Sequence, residues 1–305
     1  MVTKIRNDIN GWLVVDKPLN MGSTQVVSVL KRLLHPMKIG HGGTLDPLAS
    51  GVLPIALGKA TRTVPFVMDG LKRYEFCIRF GATTATDDLE GEVLETTSKI
   101  PSVDEIKSVL PKFIGDIEQM PPAYSALKVG GKRAYDLARE GKQPELKSRI
   151  IHIEHLNFIE PKENGDMLFE VVCGKGTYVR SLGRDIAKAC GSLGHLSYLR
   201  RTACGAFDIK DSFSLEKIKQ MCYNNTLTEQ LFSIETVLSD ILELALTEEE
   251  AKALCFGQAL KNRWDLKQNE QYKAMFQEKL VAFVVVEGTQ VRPTKVFKQL
   301  NEKEN

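Results

Sequence analysis

Gly40-His-Gly-Gly-Thr-Leu-Asp-Pro-Leu-Ala-Ser-Gly-Val-Leu-Pro54 is the most informative stretch of this 305-residue chain. Residues 39–51 hold four glycines and one proline, which precludes a long regular element there. The glycines do not follow Gly-x-Gly-x-x-Gly spacing, and the chain has no P-loop sequence. A nucleotide-binding, doubly wound fold is therefore disfavoured. Asp46 follows the flexible glycines and is fixed on its far side by Pro47. Such a loop can present one carboxylate rigidly into a cleft. The ordinary alternative is an Asx-turn, in which Asp46 only caps its own backbone.

Elements on either side are mixed in type. Gly11–Val15 reads as a short buried strand ending at Asp16-Lys-Pro. Ser23 or Thr24 then N-caps a helix with Val26, Val27, Leu30, Leu33 and Leu34 on one face. Leu71–Phe80 reads as a strand stopped by Gly81. Ser102-Val-Asp-Glu105 is a capping box that opens a helix to about Phe113. Ala123–Val129 and Ile150–Ile159 read as strands around a helix at about 133–140. Met167–Cys173 is another strand, followed by a helix from about Tyr178 to Ala189. The helices do not recur at regular βαβ intervals. The pattern predicts an α+β fold with a mixed, largely antiparallel sheet. Residues 206–245 read as an acidic connector with helical pieces. Thr247-Glu-Glu-Glu250 opens a short helix, and strands follow at 280–286 and 291–297. The expected division is a body over 1–244 and a small, mostly β module over 245–305.

Composition fits a folded globular protein, with 43% apolar and 26% charged residues. The net charge of +2 hides strong unevenness. Residues 1–62, 121–150 and 171–205 carry +5, +4 and +5, while 83–105 and 206–250 are acidic. Such blocks suit a local basic cleft for nucleic acid, set against ordinary scatter along a neutral surface. No apolar run suits a signal peptide or a membrane span. The six cysteines are scattered, so free and mostly buried thiols in a cytoplasmic protein are expected. His152 and His155 resemble half a metal site, but positions three apart on a regular strand face opposite sides.

Three further segments carry candidate chemistry. In Cys173-Gly-Lys-Gly-Thr-Tyr-Val-Arg-Ser-Leu182, Arg180 falls in the first turn of a helix. A cation there opposes the helix dipole, so it calls for an anionic partner; the alternative is a solvated arginine. In Leu196-Ser-Tyr-Leu-Arg-Arg-Thr-Ala-Cys-Gly-Ala-Phe207, Arg200 and Arg201 are candidates for phosphate contacts. In Gln119–Tyr135, basic and aromatic residues interleave, as on surfaces that track a nucleic-acid backbone.

The ordered set of motifs resembles bacterial TruB-type tRNA pseudouridine synthases. It comprises Asp16-Lys-Pro, Gly40–Pro54, Lys72-Arg-Tyr-Glu-Phe76, Gly81–Gly91, Gln119–Tyr135, Gly174–Leu182 and Leu196–Phe207, across most of 11–210. The tail resembles a diverged PUA domain, a small RNA-binding β-barrel. The resemblance implies the pseudouridine-synthase fold and isomerisation of a T-loop uridine, conventionally numbered 55, in tRNA. It implies a monomer acting on the tRNA T-arm, with no metal and no organic cofactor. By resemblance, Asp46 is the catalytic aspartate, Tyr74 the base-stacking tyrosine and Arg180 the arginine paired with the aspartate. His41, Tyr178 and Leu199 fall at contacts to the target nucleotide, and Lys17, the lysine of the N-terminal motif, is expected among the RNA-binding residues. Tyr74 is suited to help remove the C5 proton, and His41 to fill space left by the extruded base. Gly174 departs from the family's serine, and Val179 from its isoleucine. Two other readings stand beside this one. One is a non-catalytic RNA-binding or tRNA-folding protein on the same scaffold. The other is a hydrolase using paired carboxylates.

Overall fold

The computed structural model describes residues 6–125, 128–129, 132–133 and 146–297. Nine strands form the main sheet: β1 (Gly11–Lys17), β2 (Ile39–His41), β3 (Ser50–Leu57), β4 (Lys72–Phe80), β7 (Gly115–Gln119), β10 (Arg149–Pro161), β11 (Met167–Cys173), β12 (Gly194–Cys204) and β13 (Phe207–Asp208). Two short hairpins lie outside it, β5 (Ala82–Thr84) with β6 (Val93–Thr96), and β8 (Lys128–Val129) with β9 (Lys132–Arg133). The main order is β1-β3-β12-β4-β11-β10-β7, with β2 on β3 and β13 on β12. Every pairing is antiparallel except β3 with β12. The mixed, largely antiparallel sheet is thus as the sequence predicts.

Alternation explains the burial of β1. Leu13 and Val15 face one core with α1 (Ser23–Leu34), while Trp12 and Val14 face a second core with Phe207 and with Val67 of α2 (Val64–Asp69). A third core packs α3 (Val103–Val109) and α4 (Val179–Ala189) on β4 and β11 through Ile106, Leu182, Ile186, Phe76 and Phe169. The capping box at Ser102 forms as expected, with Glu105 N–H donating to Ser102 Oγ at 3.2 Å.

Several expectations are corrected. Gly22, not Ser23 or Thr24, occupies the N-cap of α1. Ser23 instead grips the loop, accepting from Leu45 N–H at 2.8 Å and donating to Leu45 O at 3.1 Å. Residues 123–125 form a bend, and 128–129 form β8; 126 and 127 lie outside the described residues. Of the helix expected over 133–140, Arg133 belongs to β9 and the remainder lies outside the described residues. The β3 and β12 strands went unread, because one begins inside a glycine-rich run and the other carries two adjacent arginines. A bulge in β10 between Ile153 and His155 shifts its phase, so His152 and His155 are both exposed. His152 pairs with Asp116 at 2.7 Å, His155 approaches Glu154 at 3.7 Å, and no metal-holding cluster exists among the described residues.

The acidic connector contains α5 (Leu215–Tyr223), followed by short 3-10 turns. A five-stranded C-terminal sheet then forms from β14 (Glu243–Ala245), β15 (Leu260–Lys261), β16 (Gln271–Phe276), β17 (Lys279–Glu287) and β18 (Gln290–Val296), packed with α6 (Glu248–Cys255). It is consistent with the expected PUA-like module. Phe283 of this sheet meets Phe66 of the body at 4.9 Å between ring centroids. No disulfide joins the six cysteines, four of which are buried. No helix among the described residues is long and apolar enough to cross a membrane.

The parallel join carries one position that only glycine fits. Gly51 has φ +100°, and a Cβ there would lie 2.2 Å from the carbonyl oxygen of Arg201. That oxygen is backbone and cannot swing away. Gly51→Ala is expected to cost about 3 kcal/mol or more, from backbone strain plus overpacking. A melting temperature equal to wild type would show that the join is looser than described.

Candidate active site

The loop between β2 and β3 is anchored on both sides of Asp46. Ser23 holds Leu45, Asn20 N–H donates to Pro47 O at 2.9 Å, and Ala49 N–H closes a turn on Asp46 O at 3.1 Å. Leu45 and Ala49 are buried. The Asp46 side chain does not cap its own loop. Its Oδ2 accepts from Arg180 Nε at 2.9 Å. The anionic partner that Arg180 calls for is therefore this carboxylate.

Arg180 is held at every nitrogen. Nη1 donates to Thr86 O at 2.7 Å and Nη2 to Tyr124 O at 2.9 Å. Asp88 Oδ2 lies 3.7 Å from Nε. The arginine side chain is 6% exposed, against 38% for Asp46. The pair is thus a buried cation with a carboxylate half open to a cleft. Asp88 is itself fixed by Thr86 Oγ1 and by Glu90 N–H at 3.0 Å. Thr86 and Asp88 lie in the quoted Gly81–Gly91 motif, but spacing gave no sign that they reach Arg180.

The cleft holds about 310 Å³ and is lined by Asp46, Lys72, Tyr74, Arg149, Tyr178, Arg180, Leu199 and Arg201, among others. That is near the lower end of roughly 300–1,000 Å³ for small-molecule sites. A smaller, largely apolar cavity of about 130 Å³ adjoins it, sharing Asp46, Arg180 and Leu199. Burial pushes the Tyr74 phenol up to about 12, so Tyr74 is protonated at neutral pH. It presents a ring face and a hydroxyl, not a phenolate.

Tyr178 is the N-cap of α4, and Gln119 clamps its backbone. Tyr178 N–H donates to Gln119 Oε1 at 2.9 Å, and Gln119 Nε2 donates to Tyr178 O at 3.1 Å. Gln119 is 1% exposed, so both bonds are shielded from water. The glycine at 174 leaves the turn intact. Thr177 Oγ1 donates to Gly174 O at 3.1 Å, and a Cβ at 174 would make only ordinary contact with His152.

Other expected site residues sit elsewhere or inside. His41 ends β2, accepts from Gly43 N–H at 3.4 Å, and has its pKa lowered by burial. It does not line the cleft beside Asp46. Arg201 is 1% exposed and donates to Val52 O at 2.7 Å and Gly43 O at 3.1 Å. A phosphate contact is closed to it, because its donors hold the Asp46 loop and Tyr74 instead. Arg200, its neighbour on the opposite face of β12, pairs with Asp16 at 2.8 Å. The basic block over 171–205 is thus largely spent internally, with Arg184 also paired to Asp87 at 2.7 Å.

Lys17 is 0% exposed, and its ammonium donates to Pro18 O, Met21 O and Pro47 O. It braces the loop from within and offers no surface to RNA. Burial pushes its pKa down from 10.5 to about 8, with Asp46 opposing. Between those values the native state binds fewer protons than the unfolded state. The burial penalty is full below pH 8, and stability gains as pH rises toward 10.5. Lys17→Met has no proton to lose there. The melting temperature of wild type is expected to gain on that of Lys17→Met between pH 8 and 10. Parallel profiles would contradict the buried ammonium.

The model of the TruB family pseudouridylate synthase N-terminal domain matches residues 31–179. That of the tRNA pseudouridylate synthase B C-terminal domain matches 180–244. A tRNA pseudouridine synthase B from Gluconobacter oxydans is 50% identical over 266 residues, 85% of this chain and 80% of the relative. One from Rhodospirillum rubrum is 45% identical over 296 residues, 94% and 96% of the two chains. Among solved structures, a Cbf5-Nop10-Gar1 complex matches with TM-score 0.74 and 27% identity, covering 94% of this chain and 85% of that one. An H/ACA RNP bound to a substrate RNA containing 2′-deoxyuridine matches with TM-score 0.73 and 25% identity, covering 95% and 86%. With its motifs in order, its sheet of the expected kind and its relatives near half identical over nearly full length, the chain belongs to the TruB family of pseudouridylate synthases.

Proposed function

We propose that this chain isomerises the T-loop uridine at position 55 of tRNA to pseudouridine, with Asp46 as the catalytic carboxylate. The observation that carries the reading is the Asp46–Arg180 pair at 2.9 Å, open on the carboxylate side to a cleft that Tyr74 also lines. Phosphate binding alone has no use for a carboxylate in a cleft. The relatives' name, tRNA pseudouridine synthase B, supports the substrate class.

The reaction breaks N1–C1′ and makes C5–C1′. C5 loses a proton and N1 gains one, so the product is an isomer of the substrate. Asp46 acts at the sugar, either by attacking C1′ or by taking the C2′ proton to give a glycal. A target base stacked in a folded loop must first be extruded, at a cost of a few kcal/mol. Stacking on the Tyr74 ring offsets part of this, by roughly 1–3 kcal/mol per base. The Tyr74 hydroxyl, protonated at neutral pH, serves the C5 proton as a neutral relay. Lys17 and Arg201 position the loop. The body over 1–244 does this chemistry as a cytoplasmic monomer, and the module over 245–305 adds RNA surface.

The test is mass mapping of pseudouridine in tRNA treated with wild type and with Asp46→Ala. Pseudouridine at position 55 with wild type alone is the expected result. Release of free uracil would point to hydrolysis. Equal product from both proteins would remove Asp46 from the chemistry.

A further inference from the structure

Five basic side chains line the cleft beside Asp46: Lys72, Arg149, Lys175, Arg180 and Arg201. Four have their charge or donors committed. Arg180 serves Asp46, and Arg201 serves the carbonyls of Val52 and Gly43. Lys72 donates to the carbonyls of Met68 and Gly70, and Lys175 pairs with Asp69 at 2.8 Å. Arg149 differs. Its Nη2 donates to Gly176 O at 2.6 Å, and its guanidinium carbon stands 4.8 Å over the Tyr178 ring. Among the described residues its buried Nε has no hydrogen-bond partner, and no carboxylate pairs with the guanidinium.

A guanidinium carries five donors in a planar fork. Among the described residues one donor is used and no carboxylate offsets the charge, and the Tyr178 ring packs against the guanidinium. That is a preorganised receptor for a tetrahedral anion with several oxygens. Position favours the same ligand. Arg149 opposes Gln119 across β10 and β7, and Gln119 clamps the backbone of Tyr178 at the start of the helix that carries Arg180. Cation, ring and helix start therefore form one rigid assembly on the cleft wall.

We infer that Arg149 binds a backbone phosphate of the RNA beside the target nucleotide, with the Tyr178 ring as the platform that aims it. This rests on the isomerase reading for its substrate. A phosphate anchored there fixes the ribose relative to Asp46 while leaving the base free to turn. The contact carries no sequence information, so it sets affinity and register, not base preference.

Binding of a fluorescent T-arm RNA hairpin is measured by anisotropy between about 50 and 200 mM salt, for wild type, Arg149→Met and Arg149→Lys. Arg149→Met is expected to bind about tenfold more weakly at the low-salt end. Its log–log salt slope should be shallower by about 0.7–0.9, the loss of one phosphate contact. Arg149→Lys keeps the charge and is expected to keep the slope, which separates lost charge from a damaged fold. A slope unchanged in Arg149→Met overturns the contact. So does a matching loss of slope in Arg149→Lys. Pseudouridine formation by wild type is scored in parallel. An Arg149-dependent slope without pseudouridine would overturn the isomerase reading and leave the phosphate contact standing. Pseudouridine formation with an Arg149-independent slope overturns the contact alone.

Discussion

Asp46→Ala is expected to leave no measurable pseudouridine while keeping both the fold and T-arm binding. The loss should be at least about 10⁴-fold in turnover, the scale seen when a nucleophile or its activator is deleted. The fold should survive for a local reason. Without the carboxylate, Arg180 still donates to the carbonyls of Thr86 and Tyr124, and Asp88 remains 3.7 Å away. The buried charge is therefore not stranded. Asp46 contributes its backbone, not its side chain, to the turn that closes on Ala49. Single-turnover assays with saturating enzyme, beside a thermal melt, make the check. A protein that melts as wild type and retains turnover would overturn the assignment.

Arg180→Met should fail differently. It removes the cation, leaves the Asp46 and Asp88 carboxylates together, and takes away the Arg180 donors to the Thr86 and Tyr124 carbonyls. Breaking a buried ion pair typically costs about 3–5 kcal/mol. Asp46 is 38% exposed and recovers hydration, so the lower end applies. Turnover should fall by about 10²–10³-fold, as when one preorganised electrostatic donor is lost. The decisive contrast is stability. Arg180→Met should melt well below Asp46→Ala, and equal melting of the two would mean that Arg180 is not the hub of this network.

The sequence made some of this site legible and hid the rest for identifiable reasons. The Gly40–Pro54 loop was readable because glycine and proline restrict the backbone locally. An arginine in a helix's first turn was readable because the helix dipole makes it costly without a partner. Neither observation named the partner, since Asp46 and Arg180 meet across 134 residues of chain. Arg201 reads as a phosphate contact because basic residues are usually solvated, and Lys17 as an RNA contact by resemblance alone. Both are buried by elements distant in sequence. One signal for Arg201 was present and unused. Side chains alternate along a strand, so reading 194–204 as β would have sent Arg200 and Arg201 to opposite faces. The His152–His155 argument used the same parity and failed at a bulge, which sequence periodicity does not reveal. Gln119 stood in a quoted motif, but its clamp on Tyr178 exists only once β7 and α4 are neighbours.

The parallel join between Ser50-Gly51 and Arg200-Arg201 has a kinetic meaning. It stitches the first part of the body to a strand about 150 residues later, and Arg201 braces the Asp46 loop from that strand. Contacts of such high order close slowly, since the loop entropy is spent before the contact repays it. Local units such as the β10–β11 hairpin can fold earlier. During synthesis the Asp46 loop gains its brace only after residue 201 has emerged. Assembly of the candidate site is therefore a late step in the maturation of the nascent polypeptide.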